Sequence, residues 1–403
     1  MKLKSLFLGS AAAFAAVTGA HAADLPAAPE PVEYVKVCDA FGAGFFYLPG
    51  TETCLKIGGM VRADFNWVES SANSERSQSN YSALARAEIN LDARTQTDIG
   101  LVRAYVLERM TIGGTDEITN GYNTNPYIVN AFVQISNDAG TFTAGRTASF
   151  FDFYGSDMYA DIIGNDDPTN ESTVGAYTFN FGSGLSATVS VEDSSSVARR
   201  VHDLFPLAGQ QYPDVVANVR ADQAWGSFQI MGALHQVRSS RLFNEDGSYD
   251  YGNNDSDLGW AAGAGLKLKV PGTMFALNSQ ATYGHGATGY VTTGNGGPLS
   301  DASFSNGVNG SLDLADSWSV RAGISAQLAP KITATLDGTY ASVDYSGSTY
   351  DYDTWTAGFQ LAWQPIAGLT IGGEVEYENL DRTTAAYGDG DRWGGAIRVQ
   401  RDF

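Results

Sequence analysis

The chain contains few of the residues on which most catalytic and metal sites depend. Of its 403 residues only four are histidine and two are cysteine. Neither a G-x-S-x-G nor an H-E-x-x-H motif occurs, so we expect no catalytic residues, no metal site and no cofactor. Long apolar runs are also missing, because no window of about 18 apolar residues follows residue 22. This excludes membrane-spanning helices beyond that point.

Basic residues are scarce as well. Lys and Arg together number 24 against 45 Asp and Glu, which makes the formal net charge −21 at pH 7. This balance argues against nucleic acid as a partner, since binding to phosphates requires an excess of cations. The same charge predicts a weak preference for cations in any aqueous passage through the protein.

The first residues are typical of a secretory signal peptide. A basic start precedes an apolar, alanine-rich run over residues 6–17, and residues 20–22 form a small-x-small cleavage site. We predict a signal peptide over residues 1–22, a mature chain that begins at Ala23, and an N-terminal periplasmic segment over residues 23–54.

Both cysteines, Cys38 and Cys54, fall in this N-terminal segment. In an exported protein an even number of cysteines predicts a disulfide. In the chain-entropy model, a bond that closes so short a loop contributes about 3 kcal/mol to stability. Two free thiols remain the alternative.

From residue 55 onward, apolar and polar residues alternate along a long series of segments. Within residues 83–94, the odd positions are alanine, isoleucine or leucine, whereas the even positions include Arg86 and Asp92. A helix does not produce this period of two, and the connections between segments are alternately short and long. We therefore predict an all-β fold, a transmembrane antiparallel β-barrel of about sixteen strands over residues 55–403, in the bacterial outer membrane.

The tryptophans provide a separate indication of a barrel. All seven fall near strand ends, in the phase predicted to face outward. Aromatic residues form girdles at both membrane interfaces of outer-membrane barrels. Core tryptophans of a soluble sandwich would instead be scattered along the strands. The observed positions favour a barrel embedded in lipid.

A set of arginines shares the predicted inward phase of the first three strands and the last strand. They are Arg62, Arg86, Arg94, Arg103, Arg109 and Arg398. In a closed barrel the last strand pairs with the first, so these strands are neighbours. We expect the arginines to form a basic wall beside the narrowest part of the pore.

The long connection over residues 147–173 is acidic and contains no lysine or arginine. Its carboxylates are Asp152, Asp157, Asp161, Asp166, Asp167 and Glu171. If this segment folds into the lumen, it places a negative edge opposite the basic wall and narrows an aqueous passage with a transverse field. In the alternative, the arginines pair locally with Asp64, Glu88 and Asp92, while the segment extends into solvent.

Several motifs resemble the alphaproteobacterial general porin family. They are CDAFGAGFFY at residues 38–47, CLKIGG at 54–59 followed by Arg62, and GTFTAGR at 140–146 followed by the acidic segment. The terminal Phe403 resembles the assembly signal of outer-membrane proteins. The resemblance covers essentially the whole chain and implies a 16-stranded homotrimeric barrel with an inward-folded constriction loop.

The resemblance also implies a function and partners. The function is a water-filled channel for passive diffusion of small hydrophilic solutes and ions, with no reaction catalysed. The partners are outer-membrane lipid and lipopolysaccharide, the outer-membrane assembly machinery, and peptidoglycan attached at Ala23. Two other functions stay open, namely a barrel enzyme with a site around His235, and a structural or adhesin barrel with a plugged lumen.

Overall fold

The computed structural model describes most of the chain. The described residues are 36–70, 80–113, 126–158, 168–194, 210–240, 254–294, 299–304, 312–345, 351–382 and 390–403. The predicted signal peptide, Ala23 and three of the predicted loop carboxylates, Asp161, Asp166 and Asp167, lie outside these ranges. Within them, no helix has the length and apolar character needed to cross a membrane.

The alternating segments of the sequence form β-strands. In chain order they are β1 (Phe46–Tyr47), β2 (Cys54–Ser70), β3 (Tyr81–Thr97), β4 (Gly100–Gly113), β5 (Tyr127–Asn137), β6 (Gly140–Ala148), β7 (Glu171–Gly182), β8 (Leu185–Glu192), β9 (Asp214–Gln223), β10 (Gly226–Ser240), β11 (Asn254–Lys269), β12 (Phe275–His285), β13 (Ala302–Phe304), β14 (Leu312–Leu314), β15 (Asp316–Ala329), β16 (Ile332–Asp344), β17 (Tyr352–Ile366), β18 (Leu369–Arg382) and β19 (Gly390–Asp402).

Sixteen of these strands, β2–β12 and β15–β19, form one closed antiparallel barrel. Each pairs with the next along the chain, and β12 pairs directly with β15, so that β13 and β14 form a separate hairpin. The pairing of β19 with β2 closes the barrel. Two backbone hydrogen bonds between Phe403 and Gly59, of 3.0 and 3.1 Å, continue this pairing to Phe403. The predicted fold class and strand number are confirmed.

The alternation places apolar side chains on the outside of the barrel. Ile57, Val61 and Phe65 of β2 are 51%, 54% and 62% exposed. All seven tryptophans are between 40% and 50% exposed, so they share the outward face as predicted. Trp355 packs against Tyr377 of the next strand, with 5.0 Å between the ring centroids. The outer surface therefore carries the aromatic side chains expected at a lipid interface.

Tight turns alternate with long connections. The turn between β7 and β8 shows how the sequence allows so short a turn. Gly182 pairs with Leu185, which leaves Ser183 and Gly184 as its two central residues. Both have positive φ, of 52° and 76°. Of the two-residue turns that match the twist of a hairpin, type I′ requires positive φ at both positions, a conformation that glycine adopts without steric cost.

The N-terminal segment folds against the beginning of β2. β1 pairs antiparallel with β2, and Cys38 and Cys54 form the predicted disulfide. Both cysteines are buried together with Phe45. The guanidinium of Arg94 lies 4.9 Å from the centre of the Phe45 ring. The disulfide thus links this segment covalently to the first residue of β2, beside the last residues of β3.

Candidate functional site

The structure places the six predicted arginines on the inner face of β19, β2, β3 and β4, and we call this set the basic wall. The barrel register brings its members together, and the directly opposed residues are Arg62 with Arg86, Arg94 with Arg103, Arg109 with Glu88, and Arg398 with Asp64. Like charges directly opposite one another on adjacent strands are destabilising. The wall therefore needs compensating negative charge.

Three carboxylates on the same strands supply part of that charge. The ion pairs are Arg398 Nε–Asp64 (2.6 Å), Arg62 Nε–Asp64 (3.1 Å), Arg94 Nη2–Asp92 (2.7 Å), Arg103 Nε–Asp92 (2.9 Å) and Arg109 Nε–Glu88 (2.5 Å). Arg86 differs, because its Nε donates to Thr111 Oγ1 at 3.0 Å. Among the described residues it has no ion pair, so the wall keeps an excess of positive charge.

Residues 149–158 leave β6 and enter the lumen, and we call them the constriction loop. Asn218 of β9 donates a 2.6 Å hydrogen bond to a loop carbonyl. The backbone N–H groups of Phe153 and Tyr154 both donate to Gln280 Oε1 of β12, at 3.1 and 2.9 Å. These partners lie across the barrel from β2–β4. The expected inward fold of the loop is confirmed for these residues.

Three side chains of the constriction loop occupy positions on the wall that glycine leaves open. The pairs are Phe153 with Gly265 of β11, Tyr154 with Gly323 of β15, and Met158 with Gly358 of β17. A β-carbon at any of these glycines would overlap the loop side chain that faces it. A side chain at Gly265 or Gly323 would displace an aromatic ring of the loop, so glycine is needed there for this close approach, whereas the flexible end of Met158 at Gly358 can move.

A polar contact adds to this docking. The hydroxyl of Tyr154 donates a hydrogen bond to Asp337 of β16. Burial and the neighbouring Asp337 carboxylate both raise the pKa of Tyr154 above its usual value. The hydroxyl therefore stays protonated and remains a donor at physiological pH.

The predicted alternative, in which the arginines pair locally and the acidic segment extends into solvent, is correct only in its first part. Five of the six arginines do pair locally with Asp64, Glu88 and Asp92, but residues 149–158 are docked inside the barrel. Two of the predicted acidic residues help to hold the loop. Asp152 accepts the backbone N–H of Asn170 at 2.7 Å, and Asp157 accepts a hydrogen bond from the Asn278 amide of β12.

The predicted boundaries of the acidic segment were too wide, and the placement of Glu171 was wrong. Glu171 is the first residue of β7 and pairs with Ala148, the last residue of β6. It shares its face with Phe179 and Phe181, which are 46% and 62% exposed, so it points outward. The physical reason is that the β6–β7 ladder continues to this pair and satisfies its backbone groups.

Sequence reasoning missed a second inward segment, which we define as residues 286–294 and 299–304. Its residues Tyr290 and Val291 are 2% and 0% exposed. The hydroxyl of Tyr290 donates to Asp214 of β9 at 2.6 Å. Its near absence of charge, with Asp301 as the single charged residue in these ranges, was the available signal.

His235 lies beneath this second inward segment. Its Nδ1 is 2.8 Å from Asp214, and its Nε2 is 3.7 Å from Asp301. The side chain is only 2% exposed, and both ring nitrogens face carboxylates. The described residues also contain no group of His, Cys, Asp and Glu side chains arranged to hold a metal ion.

Comparisons with known proteins give the family of this chain and structures with a similar fold. A family model described as a porin subfamily matches residues 23–400. Porin Omp2b of Brucella suis is 28% identical over 429 residues, which covers 100% of both chains. The outer membrane channel DcaP of Acinetobacter baumannii has a TM-score of 0.69 at 17% identity, over 89% of this chain and 99% of that one. The trimer form of OmpT from Vibrio cholerae has a TM-score of 0.53 at 10% identity, over 88% and 100%.

Proposed function

The chain belongs to the porin subfamily, and from this premise we propose that it carries small hydrophilic solutes and ions across the outer membrane by passive diffusion. The observation that supports this most directly is the constriction loop, which is docked inside a closed barrel opposite the basic wall. A narrowed passage lined by charge on one side favours hydrated polar solutes over apolar ones. The pore is narrowest, in this proposal, between residues 149–158 and the basic wall.

Reconstitution of the purified protein tests the proposal. In planar bilayers it should produce uniform single-channel current steps, and vesicles that contain it should swell in small sugars but not in large ones. A structural or adhesin barrel with a plugged lumen would produce neither signal.

We propose that the protein is a homotrimer in which a second copy covers the outward face of β3–β6. This face carries the small side chains of Ala83, Ala85 and Ala87, which permit close approach. It also carries Glu108 and Arg146 in the outward phase, and lipid tails solvate such charges poorly. Both features fit a protein partner better than lipid.

Replacing Ala85 with tryptophan should therefore weaken the trimer, because the indole would separate the packed faces. On detergent gels of unheated samples, the trimer band should weaken and a monomer band should appear. Val375, which faces outward on β18 and is 44% exposed, offers the matched control. Val375→Trp should leave the trimer band unchanged, and equal loss in both variants would contradict this interface.

Phe403 is proposed to be an assembly signal. Its ring lies against Gly59, and its backbone pairs with the same residue at the closure of the barrel. Phe403→Ala should lower the yield of folded barrel in cells, measured as the heat-modifiable band in outer-membrane fractions. Exposed Leu328 at the end of β15 is the control, and Leu328→Ala should be neutral. An unchanged yield for Phe403→Ala would refute the assignment.

The remaining assignments concern export and partners. We propose that residues 1–22 are removed during export, that residues 23–54 lie on the periplasmic side, and that Ala23 is the attachment point for peptidoglycan. Outer-membrane lipid, lipopolysaccharide and the assembly machinery complete the proposed partners. N-terminal sequencing of the mature protein would test the cleavage position directly.

A further inference from the structure

Arg321 of β15 lies between the two segments that enter the lumen. Its side chain is fully buried. Its Nη1 donates to the Tyr154 carbonyl of the constriction loop at 3.3 Å, and its Nη2 donates to the Val291 carbonyl of the second inward segment at 3.1 Å. The fork of the guanidinium thus holds one carbonyl from each segment.

The second inward segment is itself held to the barrel wall. Ser319 Oγ of β15 donates to the Val291 carbonyl at 2.8 Å. Tyr290 donates to Asp214, as described above, and within the segment the backbone N–H of Thr288 donates to Asp301 Oδ1 at 2.7 Å. The segment therefore has a defined position on the wall, independent of the constriction loop.

An apolar contact joins the same two segments. The rings of Phe151 and Tyr290 meet edge to face, with 4.9 Å between their centroids. Both belong to one buried cluster that also contains Phe153, Val216 and Met231. The constriction loop is consequently packed against the second segment as well as against the wall.

We propose that Arg321 and Tyr290 are positioning residues for the pore, which hold the constriction loop in place through the second inward segment. The loop, the segment and β15 then move as one unit, and the width of the passage depends on their joint position. This inference rests on the proposed channel function and adds to it the residues that keep the passage at one width.

Single-channel recording tests the proposal with Arg321→Met, Arg321→Lys and Tyr290→Leu. Methionine fills the space but donates nothing, so the fraction of time spent away from the main current level should rise about tenfold, as expected for loss of a hydrogen bond from a charged donor. Lysine can reach one carbonyl but cannot fork to both, so its effect should be intermediate. Tyr290→Leu removes the ring contact and should resemble Arg321→Met.

The matched control is Gln327→Leu, at the exposed end of the same strand, where the side chain bonds to Ala329, Ile332 and Thr333 at the β15–β16 turn and to neither inward segment. This variant should show wild-type current levels.

A purely structural role for Arg321 would lower the temperature at which the folded band converts to the unfolded band on gels, without altering the current levels. That result would overturn the proposal. If Arg321→Met fails to fold, Arg321→Lys and Tyr290→Leu decide the question. If the wild-type protein conducts no current, the channel function itself fails.

Discussion

Replacing Arg86 with alanine should shift the reversal potential of the channel toward cation selectivity, more than any other single substitution in the basic wall. Arg86 has no ion pair among the described residues, so its positive charge acts on permeating ions without a bound counter-ion beside it. A unit charge about 4 Å from an ion in water contributes about 1 kcal/mol, so its removal changes the local concentrations of cations and of anions about fivefold each, in opposite directions. The measurement is the zero-current potential across a bilayer under a salt gradient.

Two further variants define the electrostatic origin of that shift. Arg401→Gln removes the same charge at an exposed position near a short turn, where Arg401 bonds to the Ala367 carbonyl, and should leave selectivity unchanged. Asp157→Asn should reduce the preference for cations, because it removes negative charge from the constriction loop. Each shift should shrink at high salt, since the Debye length falls from about 10 Å at 0.1 M to about 3 Å at 1 M. Reversal potentials that stay fixed at low salt in Arg86→Ala and Asp157→Asn would place the constriction elsewhere.

Replacing Gly265 with valine should reduce single-channel conductance, because the new side chain takes the space occupied by the Phe153 ring. The loop must then move from the wall of β11 toward the basic wall. Overpacking of this kind costs about 1–3 kcal/mol, so the temperature of heat modification should fall as well. Conductance in planar bilayers and vesicle swelling with sugars of increasing size would measure the narrowing.

A compensating change separates this local effect from general damage. Phe153→Leu in the Gly265→Val background should restore part of the conductance, because a smaller loop side chain leaves room for the valine. Gly175 faces outward on β7 with no atom within 4 Å of a β-carbon, so Gly175→Val serves as the control and should conduct normally. Equal conductance in Gly265→Val and wild type would show that Phe153 does not set the position of the loop.

The candidate site was partly predictable from the sequence. The inward phase of Arg62, Arg86 and Arg398 follows from a period of two, and the structure places these side chains on adjoining strands. Which of them has a counter-ion did not follow, because that depends on the barrel register. A shift of one residue between β19 and β2 would have moved Arg398 away from Asp64.

From the sequence, two positions of the constriction loop were open, one inside the lumen and one in solvent. Its acidic composition favoured entry into the lumen opposite the basic wall, but its described carboxylates bond to Asn170 and Asn278 and hold the loop in place. The contacts that dock it on the wall join residues far apart in the chain, as between Phe153 and Gln280, which are 127 positions apart. No local pattern in the sequence carries that information.

The sequence by itself determined the fold class, the strand number, the outward face with its tryptophans and the disulfide between Cys38 and Cys54. Each of these follows from short-range properties, since alternation decides which way a side chain points and two cysteines in an exported chain have one partner each. Only the tertiary structure decided how the two inward segments are positioned in the lumen. The glycines that face Phe153, Tyr154 and Met158 position the constriction loop, and Arg321 bonds to both segments. Shape complementarity between distant strands and loops arises only once the barrel has closed, because closure brings those surfaces face to face.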